Sequence, residues 1–231
     1  MTVSTVAPGF SPHPLPLRAC LLSGGSSQRM GQDKGLLPHP DAGSWLEYGL
    51  ELLEELRTPL TLFTGHTSHL STAVALAKRH GWLERLEPLR EAPPHEGPLL
   101  ALAKLMRHHP DQILLLCPVD MPWLDRGSLR TLLASTTTAI RDTTLPGAGA
   151  GIRIAHDGQR HQPLLGLYPS DARHRDALLA ATASGERSLQ RWIAAMGHQD
   201  VGLAPAAIAN ANTPAAAARL WQKPEWDPEE P

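Results

Sequence analysis

The sequence predicts an α/β fold, an open, mostly parallel, doubly wound sheet of Rossmann-like form with helices on both faces. Two observations carry this. Short apolar runs alternate with amphipathic stretches along most of the chain, which is the pattern of repeated βαβ units. The 231 residues, 42% of them apolar, suffice for one substantial core but not comfortably for two.

Taken in order, Arg18–Ser23 reads as the first strand, ended by a glycine pair. In Trp45–Leu56, the residues Trp45, Leu46, Leu50, Leu52, Leu53 and Leu56 are spaced like one face of a helix. Pro59–Thr64 is a second strand, Ser68–His80 a second helix and Leu83–Leu89 a weak strand. Gly97–His109 opens with Gly-Pro, and proline suits the first turn of a helix. Gln112–Cys117 is the clearest buried strand and stops at Pro118. A short helix near Gly127–Ala134 follows, then strands at Thr138–Arg141 and Pro163–Tyr168, with a polar hairpin turn at His156–His161 carrying Asp157-Gly158. Helices at Ala172–Ala183 and Ser188–Met196, a strand near Val201 and a helix over Pro214–Trp221 complete the expected fold. The glycine-rich piece Pro146–Gly151 is read as a loop within one domain, because a boundary there leaves no sequential βα pattern behind it. The expected division is an irregular proline-rich leader (1–16), one domain (17–221) and an acidic, proline-rich tail (222–231) that is disordered or loosely packed.

Composition narrows the function classes. A net charge of −2 argues against bulk electrostatic binding of nucleic acid, so any polyanion must be met by a few placed cations. Cys20 and Cys117 lie in separate apolar runs without C-x-x-C spacing and read as buried strand thiols in a reducing compartment. No apolar stretch approaches the roughly 20 residues of a membrane span, and the leader lacks a signal peptide's charged and apolar regions, so a cytoplasmic location is expected. The twelve histidines show no H-x-x-x-H pair with a third ligand and are read as surface residues. No G-x-S-x-G elbow is present, which removes the serine hydrolases of that type.

The most informative segment runs from Leu21 to Lys34. An apolar strand leads into Ser23, Gly24 and Gly25, then small hydroxyl residues, then Arg29 and Lys34. Glycines let a backbone approach a phosphate and expose its N–H groups, and the two cations supply the charge a triphosphate demands. The spacing is neither that of a P-loop nor G-x-G-x-x-G. Asp120, just past the clearest central strand, stands where open α/β sheets bind ligands; by itself it reads as a metal-binding carboxylate or as a turn residue beside prolines.

Leu22–Lys34 matches every fixed position of L-x-G-G-x-S-x-R-M-G-x-D-K, and so resembles the signature loop of the molybdenum cofactor guanylyltransferases. These sit within a larger family of nucleotidyltransferases that activate sugars, isoprenoid precursors and pterins. The glycine pair and Asp33-Lys34 favour the guanylyl branch over the cytidylyl one. Cys117-Pro118-Val119-Asp120-Met121-Pro122 resembles the family's C-x-x-D-x-P block, and Gly97-Pro98-Leu99 its G-P-L segment near the base. Gln162–Tyr168 resembles a strand on the second substrate's side, Gly185–Leu189 the start of a late helix, and Asn210-Ala211-Asn212-Thr213-Pro214 the N-x-N-T-P block. Read alone, that last block is a helix cap followed by proline.

The resemblance implies a nucleotidyltransferase-type fold that binds GTP through Leu22, Ser23, Gly24, Gly25, Lys34, Glu91, Gly97, Pro98, Leu99 and Asp120. Catalysis would fall to Arg29, Lys34 and Asp120, with Mg²⁺ on Asp120 and with Gln162, Asn210 and Asn212 facing the second substrate. That substrate would be molybdenum-molybdopterin, and transient contact with molybdoenzymes or other cofactor-biosynthesis proteins would follow. Departures from the pattern fall near the base and ribose. Ala101 stands where the family has glycine, His66 follows the second strand where an asparagine is usual, and Arg90-Glu91 precedes G-P-L without the usual aspartate, leaving Glu91 as its candidate substitute. Two rivals stay open, a relative that uses CTP or another acceptor and a degenerate cofactor-binding carrier.

Overall fold

The computed structural model of the protein describes residues 15–24, 33–94, 96–142 (136–142 by backbone alone), 151–211 and 218. Seven strands form one sheet: β1 (Leu17–Leu22), β2 (Leu60–Thr64), β3 (Leu86–Arg90), β4 (Ile113–Pro118), β5 (Ile152–His156), β6 (His161–Pro169) and β7 (His198–Gly202). Their order is β3-β2-β1-β4-β6-β5-β7. The pairs β1·β2, β1·β4, β2·β3 and β5·β7 are parallel, and β6 runs antiparallel to both β4 and β5. Six strands therefore point one way and β6 alone the other.

Among the described residues, the two faces are covered by α1 (Trp45–Glu54), α2 (Thr67–His80), α3 (Pro98–His108), α4 (Arg126–Asp142), α5 (Ala172–Ala183) and α6 (Leu189–Met196). Alternation along the central strands divides the core in two. Ala19, Leu21, Leu115 and Cys117 pack with Leu46, Leu50 and Leu53 of α1, Leu76 of α2 and Leu129 of α4. Cys20, Leu114 and Leu116 pack on the opposite face with Leu99, Leu102 and Leu105 of α3, Leu178 of α5 and Trp192 of α6. Each such side chain, removed from water, contributes about 1.5–3 kcal/mol before conformational entropy is subtracted. Both cysteines are free and buried, and burial pushes both thiols up, so they act as small apolar residues.

Most expected elements appear within a residue or two of their predicted ends, and the differences have identifiable causes. Thr138–Arg141, expected as a strand, lies inside α4. A run of β-branched threonines favours a strand locally, but the helix begun at Asp125, whose Oδ1 accepts from the Ser128 amide at 2.7 Å, continues through it. The strand that does follow is β5, which the sequence reading passed over; Ile152 and Ile154 face the core while the buried Arg153 donates to the carbonyls of Gly151 and Ser135. The segment Leu83–Leu89 splits into a 3₁₀ turn at Leu83–Arg85 and β3. The histidines are not all surface residues: His39, His69, His109 and His174 are at most 5% exposed, each with a hydrogen-bond partner that makes burial tolerable. The expected last helix lies outside the described residues apart from Ala218. Among the described residues, no helix is long and apolar enough to cross a membrane.

Candidate functional site

The parallel register brings several strand ends to one edge of the sheet. Leu22 pairs with Pro118, Leu22 with Phe63, and Thr64 with Arg90. The ladder continues one residue past each end. The Ser23 amide donates to the Phe63 carbonyl at 3.0 Å, Val119 to Leu22 at 2.9 Å, and Glu91 to Thr64 at 2.8 Å. Ser23-Gly24, Gly65-His66, Glu91 and Asp120 consequently leave the sheet side by side, at the C-terminal ends of parallel strands where such folds place ligands.

Over this edge the Lys34 ammonium donates to Asp120 Oδ2 at 3.2 Å. The two residues are 86 positions apart, and both side chains are partly buried, 16% and 24% exposed. Lys34 opens a 3₁₀ turn, Lys34–Leu36, capped by Asp33, whose Oδ1 accepts from the Gly35 amide at 3.0 Å. Asp120 is held from the other side, its carbonyl accepting from the Ala211 amide at 3.0 Å. That bond brings Asn210 beside the end of β4, where its amide donates to Gln162 Oε1 at 3.0 Å. A lysine, a carboxylate and two side-chain amides from four separate stretches thus converge.

Glu91 is buried, 6% exposed, and fills the space left by two glycines. A Cβ on Gly24 would lie 2.9 Å from Glu91 Oε2, and one on Gly65 would lie 3.8 Å from the same oxygen. Gly24 thus leaves room for the carboxylate that follows β3, and any side chain there would require Glu91 to shift. Gly97 caps α3 with φ 96° and ψ 167°, a conformation essentially confined to glycine, and Pro98 opens the first turn. Leu99 is fully buried, which leaves its backbone as the part it can present to a ligand. Lys104 braces the segment before α3 by donating to the Ala92 carbonyl at 2.9 Å and pairing with Glu96.

Among the residues singled out from the sequence, the structure therefore gathers Ser23, Gly24, Lys34, Glu91, Asp120, Gln162 and Asn210 along one edge, with Leu22 forming the last residue of β1. Gly25, Arg29 and Asn212 lie outside the described residues. His69 was not foreseen. It sits in the first turn of α2, touches Ser23 and Asp33, and its His66-x-x-His69 spacing gives no hint of either contact. Among the described residues, two other groups bring three potential metal ligands together, and neither includes Asp120. In the first, Glu87 with His108 and His109, the Arg18 guanidinium already occupies Glu87 at 2.9 Å and opposes a further cation. The second, His161, His198 and Asp200, is wholly exposed.

Comparison with known proteins identifies the lineage. A family model described as the MobA-like NTP transferase domain matches residues 19–201. A probable molybdenum cofactor guanylyltransferase from Rhodopirellula baltica is 30% identical over 214 residues, spanning 88% of this chain and 92% of that protein. The chain belongs to the MobA-like NTP transferase family. A molybdenum cofactor guanylyltransferase from Pseudomonas syringae pv. syringae is 32% identical over 209 residues, spanning 87% of this chain and 92% of its own. The MobA-like fold is shared with solved structures at low identity. One is the molybdopterin-guanine dinucleotide biosynthesis protein A from Archaeoglobus fulgidus, with TM-score 0.63, 18% identity, and coverage of 88% and 96% of the two chains. A nucleotidyl transferase from Methanothermobacter thermautotroptrophicus gives TM-score 0.65 at 15% identity, with coverage of 89% and 95%. As a MobA-like NTP transferase the chain is a nucleotidyltransferase.

Proposed function

We propose that the chain transfers GMP from GTP to the terminal phosphate of molybdenum-molybdopterin, releasing pyrophosphate and forming the guanine dinucleotide form of the cofactor. The observation that carries this reading is the Lys34–Asp120 pair, held 3.2 Å apart over the ends of β1 and β4. Relatives named as guanylyltransferases, matched over 88% and 87% of the chain, support this choice of substrates.

The acceptor is a phosphate monoester dianion and needs no general base, so catalysis reduces to positioning and charge neutralisation. Lys34 offers a compact charge to the pyrophosphate as it departs, and exchanging Asp120 for phosphate oxygens keeps the ammonium paired throughout. Arg29 contributes the second cation. The Asp120 carboxylate fits Mg²⁺, which takes one or two carboxylates plus substrate phosphates, and it is solvent-accessible enough to be reached. The ion would neutralise phosphate charge there. Glu91 offers acceptor oxygens to donors on a base or ribose, and a guanine ring presents an adjacent N–H and amino group that a carboxylate can meet together. Gln162 and Asn210 bound the acceptor's side. Both substrates are water-soluble, so the reaction is assigned to the cytoplasm, with product handed on by transient contact with molybdoenzymes.

Titration with GTP, CTP, ATP and UTP, with and without Mg²⁺, tests this reading. GTP is expected to bind most tightly, and Glu91→Gln to reduce its advantage by roughly 5- to 150-fold, the equivalent of one lost contact of about 1–3 kcal/mol. Equal affinity for GTP and ATP contradicts guanine selection, and a preference for CTP moves the chain to the cytidylyl branch. Failure to bind any triphosphate leaves only a cofactor carrier.

A further inference from the structure

Residues 25–32 separate two points that the fold ties together through one side chain. His69 Nδ1 lies 2.6 Å from Ser23 Oγ, and its Nε2 lies 2.8 Å from Asp33 Oδ2. The imidazole is 1% exposed, and burial, ahead of the opposing pull of Asp33, holds its pKa below the ordinary value and keeps the ring neutral. A neutral imidazole has one donor and one acceptor. The Asp33 carboxylate can only accept, so Nε2 carries the proton, and Nδ1 accepts from the Ser23 hydroxyl. The network closes around this choice. Thr64 Oγ1 donates to the Ser23 carbonyl at 2.7 Å and accepts from the His66 amide at 3.1 Å. The order Asp33, His69, Ser23 follows that of a hydrolytic triad, but Ser23 is 2% exposed, which suits a tether and not a nucleophile.

Asp33 is engaged through both oxygens, Oδ2 by His69 and Oδ1 by the Gly35 amide at 3.0 Å. Lys34 lies between these two bonds, so its backbone has little freedom to turn. Gly35 packs directly against the ring; a Cβ there would fall 2.8 Å from His69 Cε1 and 2.9 Å from Nε2. The histidine stands on α2, outside the loop and outside contact with Asp120, yet it sets where the loop's far end is anchored.

We propose that His69 is a positioning residue, clasping Ser23 before and Asp33 after residues 25–32 so that the Lys34 ammonium is delivered to the Asp120 end of the site. Its kinetic consequence rests on the nucleotidyl-transfer reading; its geometric consequence does not. Lys34 need be displaced by only about 1 Å for a pre-organised site to lose on the order of 100-fold in rate.

The test uses the full chain with His69→Ala, His69→Gln, Asp33→Ala and the His69→Ala/Asp33→Ala double variant. Amide exchange at Gly35 and Leu36 is expected to quicken by at least roughly 10-fold in His69→Ala while β1 and β4 amides keep their protection. Pyrophosphate release from GTP with molybdenum-molybdopterin should lose roughly 10- to 100-fold in kcat/KM. His69→Gln, which retains an N–H to offer Asp33, should recover a large part of both. The double variant should be no slower than the slower single one, because both substitutions break the same contact. Unchanged exchange at Gly35 in folded His69→Ala overturns the proposal, as do multiplicative losses in the double variant or a glutamine no better than alanine. Should His69→Ala not fold, the exchange and rate comparison between His69→Gln and Asp33→Ala decides in the same way. Absence of pyrophosphate release by the unsubstituted chain with every triphosphate defeats the functional reading, while the exchange measurement still decides the clasp.

Discussion

At Lys34 the proposed chemistry comes down to one ammonium held 3.2 Å from a carboxylate that the chain supplies 86 residues later. Both side chains are partly buried, 16% and 24% exposed, so breaking the pair should cost on the order of 1 kcal/mol of stability, small beside the catalytic effect. The effect of Lys34→Ala is therefore expected in turnover, with a loss of at least roughly 100-fold in steady-state pyrophosphate release and little change in Tm. A loss below about threefold contradicts the role, and Lys34→Arg should rescue only in part, since a planar fork does not replace a point charge. Asp120→Asn keeps the shape and removes the charge. Titrating Mg²⁺ against this variant and the unsubstituted chain should show weaker metal-supported activity with the fold intact; identical metal dependence makes Asp120 a turn residue.

At the scale of elements, α3 shows how a local backbone requirement shapes the site. Gly97 holds φ 96° and ψ 167°, with nothing among the described residues within 4 Å of where a Cβ would stand, so Gly97→Ala meets no clash with them and bears chiefly the backbone cost. That cost is on the order of 1–3 kcal/mol, readable as a lowered urea midpoint, and the α3 N-terminus should shift with it and weaken GTP binding. Unchanged stability shows that the turn relaxes freely. The same scale explains what could be read from sequence. The short apolar run Ile113–Cys117, closed by Pro118, reads as a buried strand by its length and flank, and Trp45–Leu53 carries its own helical period. The strand expected at Thr138–Arg141 was overridden by α4, which runs on through it. β5 was obscured by a buried arginine in its middle, whose partners, the carbonyls of Gly151 and Ser135, are tertiary facts. Within the candidate site, the motif resemblance points to Lys34 and Asp120, and the fold brings the two within 3.2 Å. His69 was not legible, because its importance comes from ending up between Ser23 and Asp33, 46 and 36 residues away, and no local pattern encodes that.

Over the whole molecule, burial of imidazoles couples the fold to pH. Desolvation is the leading cause that lowers the pKa of His39, His69 and His109, and for His109 burial followed by the Arg18 guanidinium brings it to about 4. The folded state thus disfavours protonating these rings, whereas the unfolded chain takes up protons below about pH 6.5. Stability should be full above that pH and fall progressively as pH drops from about 6.5 toward about 4. Urea denaturation near pH 7.5 and near pH 5 should show the decline, and His109→Gln should lessen it. A midpoint that rises on acidification contradicts this account.

The sheet edge that unites these scales gathers strand ends, a lysine and a carboxylate, and the one purpose proposed for that edge is nucleotidyl transfer with loss of pyrophosphate. The most direct measurement follows GTP labelled at its α-phosphorus in the presence of Mg²⁺ and molybdenum-molybdopterin. The expected result is label in a guanine dinucleotide of the cofactor with unlabelled pyrophosphate released in equal amount. Label that stays in GTP, or appears only as free GMP, would contradict it.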